Sequence, residues 1–365
     1  MGRPLRVGVV GVGKISEQYF AQLPTLPNLE LTAVADLNEE RAREVAEQQG
    51  VRALTVDELL ASPDVDVVLN LTIPAAHVEV GTRALENGKH VFAEKPLALA
   101  PDEAAPMLAL ADARRLRVGS APDTVLGTGV QTARRLLDEG RIGTPVSASA
   151  QWTAPGHELW HPAPAFYYQD GGGPLFDMGP YYLTTLVSLL GPVVRVSGAA
   201  VRSERERSVA TGPLQGTALT VDVDTHVSAI LEHAGGTYST ITVSFEVWAS
   251  RTPLFELYGT EGTIAVPDPN RFSDPVEIWT RSEPEWTVAP VAGGYPDAGR
   301  GVGLADMARA IETDRPHRAS GELAFHVLEI MDAILRAGRE HRVVELSSAP
   351  ARPADVPLGA RPDTW

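Results

Sequence analysis

The chain has 365 residues, a net charge of −16 from 31 Lys and Arg against 47 Asp and Glu, 44% hydrophobic residues and no cysteine. At roughly 150 residues per domain this suggests about two domains with ample core. Disulfides, a thiol nucleophile and thiolate-held zinc or iron–sulfur clusters are excluded, and the acidic balance argues against nucleic acid or anionic membrane as partner.

In chain order, residues 5–10, 29–35, 65–71, 90–93 and 117–120 read as short apolar strands, and 15–23, 39–49, 75–87 and 102–115 as amphipathic helices between them. Gly50 and Gly88 stand just past two helices and Pro101 at the start of a third, where those residues favour helix ends. Such alternation indicates a parallel sheet covered on both faces, an α/β doubly wound domain over residues 1–121. A helix at 129–139 leads into strand patterns at 146–152, 195–201, 225–231, 236–247, 254–259 and 263–266, with helices at 302–313 and 322–339. Clear alternation and glycine turns predict a mostly antiparallel sheet in an α+β domain over 122–346. Residues 347–365 are expected to lie loosely on the surface. No run approaches the length of a bilayer span, and residues 5–10 are too short for a leader core, so a cytoplasmic enzyme is expected.

Gly11-Val12-Gly13-Lys14-Ile15-Ser16 ends the first strand and opens the first helix. Gly11 permits a tight turn, Gly13 removes a side chain that would block a pyrophosphate, and Ser16 is small enough for close helix–strand packing. The helix start offers N–H groups to phosphates. Asp36, twenty residues beyond Ser16, ends the next strand, where a carboxylate accepts from an adenosine ribose 2′-OH and repels a 2′-phosphate. NAD is therefore expected over NADP, with Arg41 softening the discrimination.

Glu94-Lys95-Pro96 follows one strand, and Thr72-Ile73-Pro74 with His77 follows another. With the Gly11–Ser16 loop and the run from Gly171-Gly172-Gly173 to Asp177, the chain resembles the glucose–fructose oxidoreductase, inositol dehydrogenase and rhizopine-catabolism (Gfo/Idh/MocA) family over residues 4–345. The resemblance implies a Rossmann domain followed by an open-faced, mostly antiparallel α+β domain. It also implies dinucleotide-dependent oxidation or reduction at a hydroxyl or keto carbon of a sugar, glycoside or cyclitol. Relatives commonly pair through the sheet face, so a homodimer or homotetramer is expected.

By the same resemblance, Lys95 holds the reacting oxygen over the nicotinamide. Gly11, Gly13, Lys14, Ile15, Asp36, Arg41, Thr72, Ile73, Pro74, His77, Glu94 and Lys95 form the expected cofactor site. The family usually has Asp and, four residues later, a proton-accepting His; here Asp177 is kept and Tyr181 stands in the His place, which tells against an inositol dehydrogenase. If Pro180 opens a helix, Asp177 and Tyr181 share one face, with Thr185 and Ser188 below, apart from an oily stripe of Leu183, Leu186, Val187 and Leu190. A phenol titrates near 10, and a nearby Lys95 ammonium would lower that value. Catalysis is accordingly assigned to Lys95, Tyr181 and Asp177. Asp123, at a stretch where many members carry Asn and Arg, and the loop residues Trp152, His157, Trp160, His161 and Tyr168 are candidate substrate contacts along with Asp177. Aromatic faces beside polar groups suit a neutral sugar ring.

His157-Glu158-Leu159-Trp160-His161 matches HExxH, which binds zinc only on a helix. Pro155, Gly156, Pro162 and Pro164 break such a helix, and no metal is expected. Two rivals keep the cofactor: a glycoside-cleaving enzyme using transient oxidation, and a non-catalytic sensor.

Overall fold

The computed structural model describes residues 3–203 and 205–364. In chain order it contains β1 Leu5–Val10, α1 Ser16–Gln22, β2 Leu29–Ala35, α2 Glu39–Gln49, β3 Arg52–Ala53, α3 Val56–Ala61, β4 Val67–Asn70, α4 His77–Glu86, β5 His90–Ala93, α5 Pro101–Arg114 and β6 Val118–Ser120. These are followed by α6 Thr128–Asp138, β7 Pro145–Thr153, α7 Gly173–Leu190, β8 Val193–Val201, β9 Arg207–Ser208, β10 Ala218–Leu219, β11 His226–His233 and β12 Tyr238–Ser244. The last elements are β13 Phe255–Gly259, β14 Gly262–Ala265, β15 Glu277–Thr280, β16 Thr287–Val288, α8 Val302–Thr313, α9 Gly321–Glu340 and β17 Val344–Glu345.

The chain forms two compact units, and neither is continuous in sequence. Of the described residues, the first comprises 3–131, 293–325 and 353–364, and the second comprises 132–203, 205–292 and 326–352. The segment 1–121 expected as one domain lies within the first unit, to which the chain returns twice.

In the first unit all strands are parallel, in the order β3-β2-β1-β4-β5-β6. This is the doubly wound order whose switch point lies between the first strand and its β4 neighbour, with ligands gathering at the strands' carboxyl ends. β1 and β4 run nearly without polar interruption because helices cover both faces, and Val7, Val9, Val67, Val68 and Leu69 are fully buried. Leu304, Ala305 and Met307 of α8 pack into the same core. Residues 353–364 are pinned rather than loose. Val356 is 1% exposed and its N–H donates to Gln131 Oε1 at 2.8 Å, while the Arg318 guanidinium donates to the carbonyls of Ala354 and Asp355.

The second unit is built on a nine-stranded sheet, β16-β15-β14-β13-β7-β12-β11-β8-β17, antiparallel except where β12 runs parallel to β7. Strand alternation sends Val227, Ala229, Leu231, Ile241, Val243, Ala148, Ala150 and Phe255 inward, where α7 packs across β7, β11 and β12. The other face carries Ser147, Ser149, Ser228, Thr240 and Thr242, with Ile230 half exposed. No helix among the described residues is long and apolar enough to cross a membrane.

Candidate active site

The glycine loop sits at the switch point of the parallel sheet. Gly11 has φ +93°, and a Cβ there would stand 2.7 Å from the carbonyl of Leu71, in the loop after β4. Only glycine lets the loops after β1 and β4 approach this closely. A Cβ on Gly13 would meet nothing within 4 Å, so that side of the loop is open. Ser16 closes the turn with its hydroxyl donating to the Gly13 carbonyl at 2.7 Å. Asp36 accepts from Val12 N–H through Oδ2 and from Asn38 N–H through Oδ1, both at 2.9 Å, and Arg41 Nε donates to the Val12 carbonyl at 2.7 Å. The acidic residue and Arg41 thus brace the loop besides standing where a ribose is expected. Lys14 is exposed and pairs with Glu17, Ile15 precedes α1, and Ile73 is exposed before the turn Pro74–Ala76. An open glycine cradle beside a carboxylate fits an NAD molecule.

Two residues expected to touch cofactor are instead internal. His77 is 1% exposed; its Nδ1 lies 2.7 Å from the Pro96 carbonyl and its Nε2 3.0 Å from the Thr72 carbonyl, so it ties the loops after β4 and β5 together. Glu94 is buried, accepting from the Tyr19 hydroxyl at 2.9 Å and from Lys95 N–H at 3.0 Å. Lys95 is the partly exposed member of the Glu-Lys-Pro motif. Thr72 turns its hydroxyl onto Asn70 Oδ1 at 2.7 Å. Asp123, a candidate for substrate contact, is wholly buried, and its Oδ2 accepts from the N–H groups of Gly301 and Gly303 at 2.8 and 3.0 Å. Its work is to hold the start of α8.

In the second unit, α7 begins at Gly173, with Pro174 in its first turn and Pro180 inside the helix, so Pro180 does not open it. Asp177 and Tyr181 still fall one turn apart. The expected split into polar and oily stripes does not hold: Thr185 and Ser188 are as buried as Leu183 and Leu186, and Tyr181 is 4% exposed. A helix buried all round loses its stripe. Gly172 lets the aromatic loop close on the helix start, because a Cβ there would lie 2.5 Å from the Phe166 carbonyl.

That loop brings His157 to Asp177, with Nε2 2.8 Å from Oδ2. His157 packs against Trp160 at 5.0 Å, Tyr167 at 4.3 Å and Phe245 at 4.6 Å between ring centres, and Trp152 stands 5.7 Å away. Trp160 is 58% exposed, and His161 is partly exposed, with Nδ1 accepting from Ala163 N–H. Tyr168 is fully buried: its hydroxyl donates to Glu158 and accepts from His157 N–H and from Arg207, which removes it from the substrate contacts. Burial, the Glu158 bond and the Glu158 charge push its phenol well above the usual value, against the pull of Arg207.

The glutamate of the HExxH match is likewise internal. Glu158 is 3% exposed and accepts from Arg207 at 2.7 Å and Arg205 at 2.9 Å, while Arg207 also pairs with Glu246 at 2.5 Å. His157–Leu159 is a single 3₁₀ turn, and the two histidines of the match hold different partners, Asp177 and the Ala163 N–H. The sequence reading missed this ion-pair cluster because Arg205 and Arg207 lie nearly fifty residues from Glu158 in the chain.

A parallel sheet in doubly wound order with a glycine cradle at its switch point defines a dinucleotide-binding fold, followed here by a mostly antiparallel sheet. Residues 5–121 match the family model for the oxidoreductase family with NAD-binding Rossmann fold, and residues 130–265 match the Gfo/Idh/MocA C-terminal domain. The chain is 38% identical to a dTDP-3,4-didehydro-2,6-dideoxy-α-D-glucose 3-reductase of Streptomyces violaceoruber over 64% of its own length and 68% of the relative's. It is 28% identical to a bovine (Bos taurus) trans-1,2-dihydrobenzene-1,2-diol dehydrogenase over 84% of this chain and 87% of that one. Levoglucosan dehydrogenase in complex with NADH and L-sorbose shares the fold, with a TM-score of 0.81 at 22% identity, over 95% of this chain and all of that one. The chain belongs to the Gfo/Idh/MocA family and is an NAD-binding oxidoreductase.

Proposed function

We propose that the protein reduces a keto group, or oxidises the corresponding hydroxyl, on a sugar-like substrate, with Tyr181 as proton carrier and with Lys95 assisting. The observation that carries this reading is the pair on α7: Asp177 and Tyr181 one turn apart, with Asp177 held by His157 in an aromatic loop. The similarity to a keto-sugar 3-reductase favours the reductive direction.

NAD(H), when bound, would supply or take the hydride. Gly11, Gly13 and Asp36 would hold it, and His77 and Glu94 keep the loops of that site in place. Asp177 accepts a hydrogen bond from a substrate hydroxyl. In the reductive direction Tyr181 gives its phenolic proton to the carbonyl oxygen as that carbon gains hydride; in the oxidative direction it takes the proton back. The Lys95 ammonium favours the charged oxygen in either case. Trp160 and Trp152 offer ring faces to the substrate.

Turnover of NADH at 340 nm with free and nucleotide-linked keto-sugars, and of NAD with their alcohols, tests the reading. Tyr181→Phe is expected to lower kcat by about 10²–10⁴-fold. Lys95→Ala is expected to do comparable damage, and the double variant less than the product of the two. A Tyr181→Phe enzyme within threefold of wild type would remove the tyrosine from the reaction. Aglycone release without net NADH would favour glycoside cleavage instead.

A further inference from the structure

His157 is 5% exposed, and both of its ring nitrogens are engaged. The Trp160 indole N–H donates to Nδ1 at 3.1 Å, and an indole nitrogen is a donor only. Nδ1 therefore presents a lone pair, which puts the ring proton on Nε2. Nε2–H then donates to Asp177 Oδ2 at 2.8 Å. A ring committed in this way has no lone pair with which to take a proton from substrate, so His157 is not a second base.

We propose that Trp160 and His157 form a positioning relay. The tryptophan N–H at Nδ1 and the acceptor-only Asp177 carboxylate at Nε2 together select the Nε2–H tautomer, and that N–H fixes the orientation in which Asp177 receives a substrate hydroxyl. This inference rests on the role given to Asp177 above. The loop is built for such a relay. Tyr167, Phe245 and Trp152 pack around the imidazole, and the His157 backbone N–H is anchored at 3.0 Å on the Tyr168 hydroxyl. Tyr168 is locked in turn by Glu158 and Arg207. A carboxylate has about four acceptor directions; the Nε2–H occupies one and thereby sets where the others point. His157 and Trp160 are positioning residues, acting through Asp177.

The test uses the full-length protein. Nitrogen-15 NMR of the histidine rings should show wild-type His157 with the proton on Nε2. In Trp160→Phe, where the replaced ring is exposed and the fold should persist, Nε2 should keep its proton for Asp177 while the Nδ1 resonance shifts on losing the indole donor. In kinetics, His157→Phe should raise KM for a hydroxyl-bearing substrate about 10- to 100-fold, with a smaller change in kcat. His157→Gln, whose amide N–H replaces Nε2–H, should recover most of that loss. An Nδ1–H tautomer in the wild type, or a His157→Gln enzyme no better than His157→Phe at equal thermal stability, would overturn the relay. The earlier reading fails separately. Asp177→Asn with unchanged KM would remove Asp177 from substrate binding, whereas a raised KM in Asp177→Asn with wild-type kinetics in His157→Phe and Trp160→Phe would sink the relay alone.

Discussion

Asp36 and Asp123 are both acidic residues at the carboxyl side of the parallel sheet, and burial separates their roles. Asp36 is partly exposed and keeps one oxygen on Val12 N–H and one on Asn38 N–H, with further acceptor capacity for a ribose hydroxyl. Asp36→Ala should weaken NAD binding by about 1–2 kcal/mol and narrow the gap to NADP. Part of that loss belongs to the loosened glycine loop, so Asp36→Asn, which keeps an acceptor for Val12, should retain more NAD affinity than the alanine variant. Titration with both dinucleotides measures this, and wild-type protein binding NADP tenfold tighter than NAD would contradict it. Asp123 is wholly buried, and burial raises its pKa against the bonds from Gly303 and Gly301 and the charge of Arg300. Asp123→Ala leaves two amide donors without their acceptor and should cost about 1–3 kcal/mol, read as a lower urea midpoint, with Asp123→Asn costing less. A stable Asp123→Ala protein with a raised substrate KM would return Asp123 to the substrate site.

The helices show where sequence periodicity informs and where it fails. Amphipathic α2 and α4 pack one face and expose the other, and their expected ranges agree with the structure within two residues. α7 misleads because it is buried on every side, so Tyr181, Thr185 and Ser188 carry no solvent-facing signature. Its start was obscured by Pro180, which sits inside the helix although proline more often opens one. The His157–Asp177 pair was unreadable for another reason, since twenty residues and a loop separate the partners and no periodicity connects them. α9 carries a titratable clamp of the same hidden kind. His326 accepts from Val193 N–H at 3.0 Å through Nε2 and bonds Ser348 at 2.7 Å through Nδ1. Burial holds it down to about 4, with His233 lowering it further and Glu329 pulling it up. A histidine depressed in the folded state contributes stability that is full above its unfolded value near 6.5 and lost as pH falls toward 4. The loss should be on the order of 3 kcal/mol over that interval. His326→Gln should flatten the pH dependence of the urea midpoint between pH 6.5 and 4; an unchanged slope would mean another group governs it.

At the scale of the molecule, the parallel order of the first sheet and the antiparallel character of the second were legible from strand composition alone, because buried parallel strands read as continuous apolar runs and half-covered ones alternate. The division into units was not. α8 and residues 353–364 belong with the first unit, joined by contacts such as Arg318 with Asp355 and Gln131 with Val356, which no local pattern announces. The tail's Ala, Pro and Arg composition suggested looseness, yet Val356 is buried. Removing residues 353–365 should therefore lower the melting temperature by several degrees, and a truncated protein that melts with the full-length chain would show the segment to be dispensable. Net hydride transfer to a sugar-like carbon, with Tyr181 carrying the proton, is tested most directly by following deuterium. Protein supplied with NADH deuterated on the transferred face and a keto-sugar should yield an alcohol with one deuterium on the former carbonyl carbon. The Tyr181→Phe protein should give the same labelled product at a rate about 10²–10⁴-fold lower. Product without deuterium, or labelled product formed at the wild-type rate by the phenylalanine variant, would contradict it.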